Sequence, residues 1–378
     1  MTAPEDFCKF LKNGLVYSNN TNHFTVSPCC YFLDSSGVEF KKYIINLDSN
    51  PREQLIKHKQ EWLKEDFNKT CKLCINSEQS GLYSYRQASF DQITNDSDQL
   101  DFLTIAVNKK CNLACPSCDS GSSSFWFQEN NRNNVKQHNN IIKLHQEDQE
   151  GVITEKFLST LSSQDLSKVT YIKFGGGEPM MSDTHEQILN LLPYPENVIV
   201  QYTSNFSLMP SVRVFKLWKK LKLVKWVASI DGIEDQFGFL RWPYQWKNLE
   251  KFINSAKINV PDNVMFGVEH TINLLNAFYY PEFKSWFDQI LNTNRFGDQS
   301  DLNLHKCTGL LSIDHMPVDL RNLVKNKLGI NHAISTMIDQ ATNSKNVRPT
   351  IKYLDQIDTW RNLNWRELFP EIQEYLHG

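Results

Sequence analysis

The sequence predicts an α/β fold in which the strands of a parallel sheet alternate with helices. Six short apolar runs bounded by turn residues are the first observation, and the strands they predict cover 102–107, 171–174, 197–203, 223–230, 264–271 and 302–305. Amphipathic stretches are the second, with apolar residues at three- and four-residue steps over 212–221, 246–258 and 283–291. This alternation is typical of βα units. A chain of 378 residues is also long enough for a barrel and a smaller domain.

A cysteine loop follows the first predicted strand. Cys111, Cys115 and Cys118 have the spacing Cys-x3-Cys-x2-Cys. Thiolates suit zinc, copper(I) and iron–sulfur clusters. Three close thiolates can bind three irons of a cubane and leave the fourth iron open to a ligand. Structural zinc usually requires two Cys-x2-Cys pairs or a mixture with His, and free cysteines also occur as small buried residues. Both remain alternatives to the cluster.

A glycine-rich turn follows the second predicted strand. It reads Gly175-Gly176-Gly177-Glu178-Pro179, and a helix is predicted from about Thr184. Glycines permit positive φ and a close backbone approach to a ligand. An ordinary turn between a strand and a helix is the alternative. Phosphate binding is disfavoured, because no Lys-Ser/Thr follows as a P-loop requires.

Together, the cysteine loop and the glycine turn resemble the radical S-adenosylmethionine (radical SAM) superfamily. The resemblance implies a partial (βα)6 TIM-type barrel and a 4Fe–4S cluster on the three cysteines, whose open iron chelates S-adenosylmethionine (SAM). Barrel active sites lie at the carboxyl ends of the strands, and the cofactor-binding residues predicted there are Gly175, Gly176, Gly177, Glu178, Ser204, Asn205, Ser229 and Asp231. By resemblance, the glycine turn holds the methionyl ammonium, Ser204 and Asn205 contact the ribose, and Ser229 contacts the methionyl moiety. Ser117 departs from the family, which often has an aromatic residue near the adenine there.

Five further cysteines lie in the first hundred residues: Cys8, Cys29, Cys30, Cys71 and Cys74. Cys71 and Cys74 form a Cys-x2-Cys pair that alone is consistent with a zinc knuckle. The order of these cysteines resembles the twitch domain, the short form of the SPASM auxiliary cluster domain: a Cys near Gly14, then a Pro-Cys-Cys, then a Cys-x2-Cys. The segment 80–86 resembles the connecting segment of such proteins. Most members place this module after the barrel, whereas here it comes first.

The twitch resemblance implies a second 4Fe–4S cluster, with Cys8, Cys29, Cys71 and Cys74 as a full set of ligands. Full ligation leaves no open iron, so this auxiliary cluster is expected to relay electrons. Cys29 is preferred to Cys30, because successive residues of a strand point to opposite faces.

The predicted domains are an auxiliary iron–sulfur domain over 1–98, the partial barrel over 99–310 and a helical region over 311–378. In the last region, helices are predicted at 318–328 and 360–376, packed on the barrel exterior. The polar stretch 128–149 is predicted as a long loop or loose helix over the barrel mouth.

Composition is consistent with an intracellular enzyme. The formal net charge of −3 implies no general affinity for polyanions, so no nucleic acid is expected. No apolar run reaches the roughly 18 residues of a membrane span, and the first residues lack the features of a signal peptide. Nine cysteines without a secretory signal favour metal ligation in a reducing cytoplasm.

The resemblance implies a radical SAM oxidoreductase that takes an electron from a donor such as flavodoxin or ferredoxin. It would cleave SAM reductively to a 5′-deoxyadenosyl radical and abstract hydrogen from a peptide or protein. A small metabolite, such as a sugar or nucleotide derivative, is the alternative substrate, and a non-catalytic iron–sulfur or zinc protein is the alternative class. Cys307 follows the last predicted strand and is a candidate hydrogen donor, although a lone cysteine is commonly just a small buried residue.

Overall fold

The computed structural model describes residues 7–20, 23–36, 41–46, 50–79, 83–93, 99–106, 108–150, 152–162, 164–291, 302–329, 332–341 and 346–376. Val107 and the positions 80–82 of the predicted connecting segment lie outside these residues. Within the described ranges, no helix combines the length and the apolar character needed to cross a bilayer.

One sheet of nine strands forms the centre of the molecule, in the order β3-β2-β1-β4-β5-β6-β7-β8-β9. The strands are β1 (Gly14–Asn20), β2 (His23–Ser27), β3 (Tyr43–Asn46), β4 (Phe102–Ala106), β5 (Tyr171–Phe174), β6 (Ile199–Ser204), β7 (Leu223–Ser229), β8 (Val264–Ile272) and β9 (Leu302–Lys306). Neighbours from β1 through β4 to β9 pair in parallel, and β2 pairs antiparallel with β1 and β3. The predicted α/β fold is confirmed, with six consecutive parallel strands close to the predicted positions.

The two faces of the sheet differ in polarity. Phe174, Tyr202, Trp226 and Phe266 are neighbours in register along one row and are all buried. Helices cover this face; for example, the ring centroid of Trp218 lies 5.4 Å from that of Trp226. Because side chains alternate along a strand, the neighbouring rows face the other way. We call that side the polar face; it carries Thr104, Lys173, Gln201, Lys225, Glu269 and His305.

Helices precede and follow the strands. They are α1 (Phe10–Asn13), α2 (Pro51–Trp62), α3 (Phe67–Thr70), α4 (Lys72–Gln79), α5 (Tyr85–Gln92), α6 (Ser124–Arg132), α7 (Asn139–Glu150), α8 (Val152–Ser162), α9 (Thr184–Asn190), α10 (Val212–Trp218), α11 (Glu234–Leu240), α12 (Trp246–Asn259), α13 (Tyr280–Leu291), α14 (Val318–Leu328), α15 (Ala333–Asp339), α16 (Arg348–Arg361), α17 (Trp365–Leu368) and α18 (Pro370–Gln373). The helix predicted at 318–328 is present as α14.

The prediction of a single helix over 360–376 is wrong. The helix α16 ends at Arg361, because Asn362 takes a left-handed conformation with φ of 52°. Pro370 then opens α18, where a missing N–H is tolerated. The polar stretch 128–149, predicted as a long loop or loose helix, is largely helical and contains most of α6 and α7. Ser123 caps α6 by accepting a hydrogen bond from the Trp126 N–H.

The N-terminal segment extends the same sheet. Strand β1 pairs with β4 from Gly14 opposite Phe102 to Ser18 opposite Ala106. Gly14 is required where β1 begins, because a Cβ there would lie 2.6 Å from the carbonyl oxygen of Pro28. The predicted boundary between 98 and 99 therefore falls between two strands of one sheet.

Candidate functional site

The predicted site residues gather at the carboxyl edge of the parallel strands. The cysteine loop follows β4 and the glycine turn follows β5. Strand β6 ends at Ser204 and Asn205 follows it, Asp231 follows β7, and Cys307 follows β9. Since these strands are parallel neighbours, their ends meet at one edge of the sheet, where α/β proteins bind ligands.

The glycine turn packs directly on the backbone of the cysteine loop. The Glu178 N–H donates to the Lys110 carbonyl at 2.6 Å, and the Gly177 N–H donates to Asn108 at 3.1 Å. A Cβ on Gly177 would meet the Lys110 carbonyl oxygen, and Gly176 has a φ of 109°. These two glycines are therefore needed for the two loops to meet. A Cβ on Gly175 would meet no atom within 4 Å, so space for a ligand lies beside that residue.

Glu178 is fully buried and links the glycine turn to the end of β6. Its Oε1 accepts from Ser204 Oγ at 2.9 Å and from the Met180 N–H at 3.1 Å, and its Oε2 accepts from the Asn205 N–H at 2.7 Å. Burial raises the pKa of Glu178, and these hydrogen bonds oppose the rise. A carboxylate has about four acceptor positions, and these hydrogen bonds occupy three of them; a contact with an ammonium group stays a prediction.

The side chains of Ser204 and Asn205 make hydrogen bonds within the protein. Asn205 Nδ2 donates to Asn112 Oδ1 at 2.8 Å, and its Oδ1 accepts from the Ser207 hydroxyl at 2.6 Å. Asn112 Nδ2 in turn donates to Ser207 Oγ at 2.8 Å. The end of β6 thereby braces the cysteine loop, while the ribose contacts stay a prediction.

Replacing Glu178 with alanine is expected to weaken SAM binding about tenfold or more without loss of iron, because a charge-assisted hydrogen bond to the ammonium disappears. Equilibrium dialysis with SAM and an iron assay on the same sample measure both quantities. Asp235→Ala, which removes an exposed carboxylate, is the matched control. Unchanged affinity in the Glu178 variant would contradict the role.

The backbone of the cysteine loop is held by residues outside the loop, most of them distant along the chain. Its carbonyls at 114, 115 and 116 accept hydrogen bonds, each of 2.8 Å, from Arg361, Trp126 and Tyr353 respectively. The Ala114 N–H donates to the Trp242 carbonyl at 2.8 Å. Sequence reasoning missed these four residues, and no local signal marks them. The contacts hold the loop backbone in place before any ligand binds.

The three thiols of the cysteine loop differ in exposure. Cys115 is buried, and Cys111 and Cys118 are half-buried. Burial raises the pKa of Cys111 to about 11 and that of Cys118 to about 12. The thiols are therefore protonated at neutral pH until a metal displaces the protons. This thiol set fits a cluster bound on the open side of the loop.

The four predicted auxiliary ligands also lie together. Cys8, Cys29, Cys71 and Cys74 are all buried. Burial is the largest cause of the raised pKa of Cys29, and the charges of four other thiols raise this pKa further: those of Cys30, Cys8, Cys71 and Cys74. Hydrogen bonds from the Leu33 N–H to Thr70 and from the Lys9 N–H to Ser89 tie these segments together.

Cys30 has different surroundings from Cys29. It is exposed, yet surrounding protein raises its pKa, while the positive charge of Lys173 opposes the rise and Glu269 adds to it. Lys173 and Glu269 belong to the polar face. Cys29 is buried whereas Cys30 is exposed, and the choice of Cys29 as the auxiliary ligand stays a prediction.

Across the described residues, no three His, Cys, Asp or Glu side chains are arranged to hold one metal ion directly. A tetrahedral zinc with Zn–S bonds of about 2.3 Å needs its sulfurs close together. Thiolates that ligate a cubane bind separate irons and stand further apart. A cubane at these thiols stays a prediction.

The polar face carries a charged group near these sites. Lys173 Nζ lies 3.2 Å from Glu269 Oε1, and His305 Nε2 lies 3.6 Å from the same oxygen. Burial alone would raise the pKa of Glu269, but Lys173 and His305 outweigh it and lower the pKa to about 2. Glu269 is therefore ionised at neutral pH, and the polar face presents both signs of charge.

Cys307 is buried at the carboxyl edge, where its backbone N–H donates to the Ile272 carbonyl at 2.8 Å. Its thiol donates to the Thr308 carbonyl at 3.2 Å. Burial raises the pKa of Cys307 to about 12, and the charge of Asp231 contributes. The thiol is thus protonated near the other site residues, and its role as hydrogen donor stays a prediction.

No protein-family model matches the chain, and no curated protein matches it. Solved structures similar to it include a histidine-tagged anSMEcpe with bound AdoMet, with 16% identity and a TM-score of 0.40, covering 65% of this chain and 61% of that chain. Streptococcus suis SuiB bound to S-adenosylmethionine has 12% identity and a TM-score of 0.36, covering 93% and 71%. SuiB bound to precursor peptide SuiA has 11% identity and a TM-score of 0.36, covering 89% and 58%. At these identities and TM-scores, the similarity carries no argument about function.

Proposed function

We propose that this protein is a radical SAM enzyme that binds SAM at the carboxyl edge of its sheet. The packing of the glycine turn on the cysteine loop, through the Glu178 N–H and the Lys110 carbonyl, carries the proposal. It brings three thiols of the predicted spacing beside the buried carboxylate of Glu178. A protein that only binds iron or zinc has no need of that second element.

In this proposal, Cys111, Cys115 and Cys118 hold a 4Fe–4S cluster, and the turn from Gly175 to Glu178 holds the methionyl ammonium of SAM. When bound, the cluster supplies the electron that cleaves SAM to a 5′-deoxyadenosyl radical, which takes hydrogen from the substrate. Ser204 and Asn205 keep the cysteine loop and Glu178 in register. Ser229 lies opposite Glu269 on adjacent strands, at the border between the SAM site and the polar face.

The proposed substrate is a peptide or protein, and the proposed auxiliary cluster on Cys8, Cys29, Cys71 and Cys74 relays electrons. The twitch resemblance supports both, because relatives with such domains commonly modify ribosomally made peptides. A short precursor peptide encoded beside the gene would favour this substrate over a small metabolite.

Anaerobically reconstituted protein is expected to contain about eight irons per chain, as two cubanes require. With dithionite and SAM, it is expected to form 5′-deoxyadenosine, measured by liquid chromatography. Iron without 5′-deoxyadenosine would contradict the proposed activity. Stoichiometric zinc on Cys8, Cys71 and Cys74 in protein purified without oxygen would contradict the auxiliary cluster only.

A further inference from the structure

Arg241 contacts one thiol of the cysteine loop. Its Nη1 lies 3.7 Å from Cys115 Sγ as a hydrogen-bond donor. Arg241 follows α11, and its backbone N–H donates to the Phe237 carbonyl at 2.8 Å. The guanidinium is thus fixed by a helix end in the middle of the protein, and its side chain is only 13% exposed.

The same guanidinium forms a buried ion pair at the end of β7. Its Nη2 lies 2.7 Å from Asp231 Oδ2, and the Asp231 side chain is 1% exposed. The other oxygen, Oδ1, accepts from the Thr271 N–H at 2.7 Å, which anchors the pair to β8. Arg241 Nε is buried and has no hydrogen-bond partner among the described residues. A charge is costly to bury unless it is paired, so this arrangement keeps a cation beside one sulfur despite that cost.

The other two thiols lack such a partner in the described part of the chain. Cys111 Sγ lies 4.0 Å from the neutral amide Nδ2 of Asn205. The Cys118 thiol is placed to donate weakly to the Asp119 carbonyl at 3.9 Å. Among the three thiols, only Cys115 therefore receives a charge-assisted contact in the described part of the chain. The electrostatic surroundings of the three sulfurs are unequal.

We propose that Arg241 is a positioning residue that orients the Cys115 thiolate and raises the reduction potential of a cluster bound at the cysteine loop. The inference rests on the proposed function, because it requires that cluster. Hydrogen bonds to the sulfurs and the net charge nearby set the potential of iron–sulfur clusters. A cation at the sulfur stabilises the reduced cluster, which carries one more negative charge.

An anaerobic redox titration monitored by electron paramagnetic resonance tests the inference, using the signal that changes on adding SAM. Arg241→Met, which keeps length without charge, is expected to leave about tenfold less reduced cluster at a fixed potential. For a one-electron couple, that factor corresponds to a shift of about 59 mV to more negative values. Asp231→Asn is expected to shift the potential in the opposite direction, because it removes a negative charge. Arg241→Lys keeps the charge and is expected to retain most of the wild-type potential.

Arg86→Met is the matched control. Arg86 pairs with Glu78 near the auxiliary thiols, so its replacement is expected to leave the SAM-responsive potential unchanged. Equal potentials in Arg241→Met, Asp231→Asn and wild type, at equal iron content, would overturn the inference and leave the proposed function standing. If Arg241→Met does not fold, Asp231→Asn still decides the question, because an unchanged potential at equal iron content would overturn the inference. Absence of any SAM-responsive signal in the wild type would overturn the proposed function and this inference with it.

Discussion

Replacing Cys115 with alanine is expected to abolish the formation of 5′-deoxyadenosine while about four irons per chain remain. A cubane with one open iron needs three thiolates, and the variant has only two at this loop. The auxiliary thiols are unchanged by the substitution. Cys115 is also the buried member of the loop and the one that Arg241 contacts. Iron content and 5′-deoxyadenosine measured on one reconstituted sample give both results. Cleavage at the wild-type rate would exclude the loop as the cluster site.

Two neighbouring cysteines provide matched variants for this experiment. Cys30→Ala is expected to keep about eight irons and SAM cleavage, because Cys30 lies beside Lys173 and not only beside thiols. Cys29→Ala is expected to lose the auxiliary irons only. A loss of iron in Cys30→Ala alone would assign the auxiliary ligand to Cys30.

Replacing Glu129 with alanine is expected to lower the free energy of unfolding by about 3–5 kcal/mol, because it leaves a buried guanidinium unpaired. Arg361 Nη2 lies 2.6 Å from Glu129 Oε2, and its Nε lies 3.1 Å from Oε1. The side chains are 1% and 8% exposed. The guanidinium also lies over the ring of Trp126, 4.8 Å from its centroid. Urea unfolding followed by tryptophan fluorescence measures the change.

Lys69→Ala is the control, since its ion pair with Asp66 is largely exposed and such pairs contribute about 0–1 kcal/mol. The double variant Glu129→Leu with Arg361→Met is expected to recover most of the stability, because apolar residues of similar size often replace buried pairs. It still lacks the donor to the Ala114 carbonyl, so the first cluster is expected to assemble less completely. A cost below about 1 kcal/mol for Glu129→Ala would show that the pair does not hold α16 to α6.

Local patterns in the sequence were enough for the parallel strands and for the two loops. Short apolar runs bounded by turn residues predicted β6 and β7 to within two residues at either end, because the buried strands of a parallel sheet carry such runs. The glycine turn was predictable because only glycine permits the approach of Gly177 to Lys110. Cysteine spacing in the same way marked the loop from Cys111 to Cys118. Each of these features is encoded within a few consecutive residues.

The surroundings of the thiols were decided by the tertiary structure. Arg361 meets Ala114 across 247 positions of the chain, and Tyr353 meets Pro116 across 237. Arg241 reaches Cys115 from the end of α11, and β1 joins β4 in parallel. An arginine or a tyrosine in a helix has no local property that tells which backbone carbonyl it will meet. The sequence alone therefore determined the residue types that could carry the chemistry. Which buried charge stands beside which sulfur depends on how distant helices pack at the edge of the sheet.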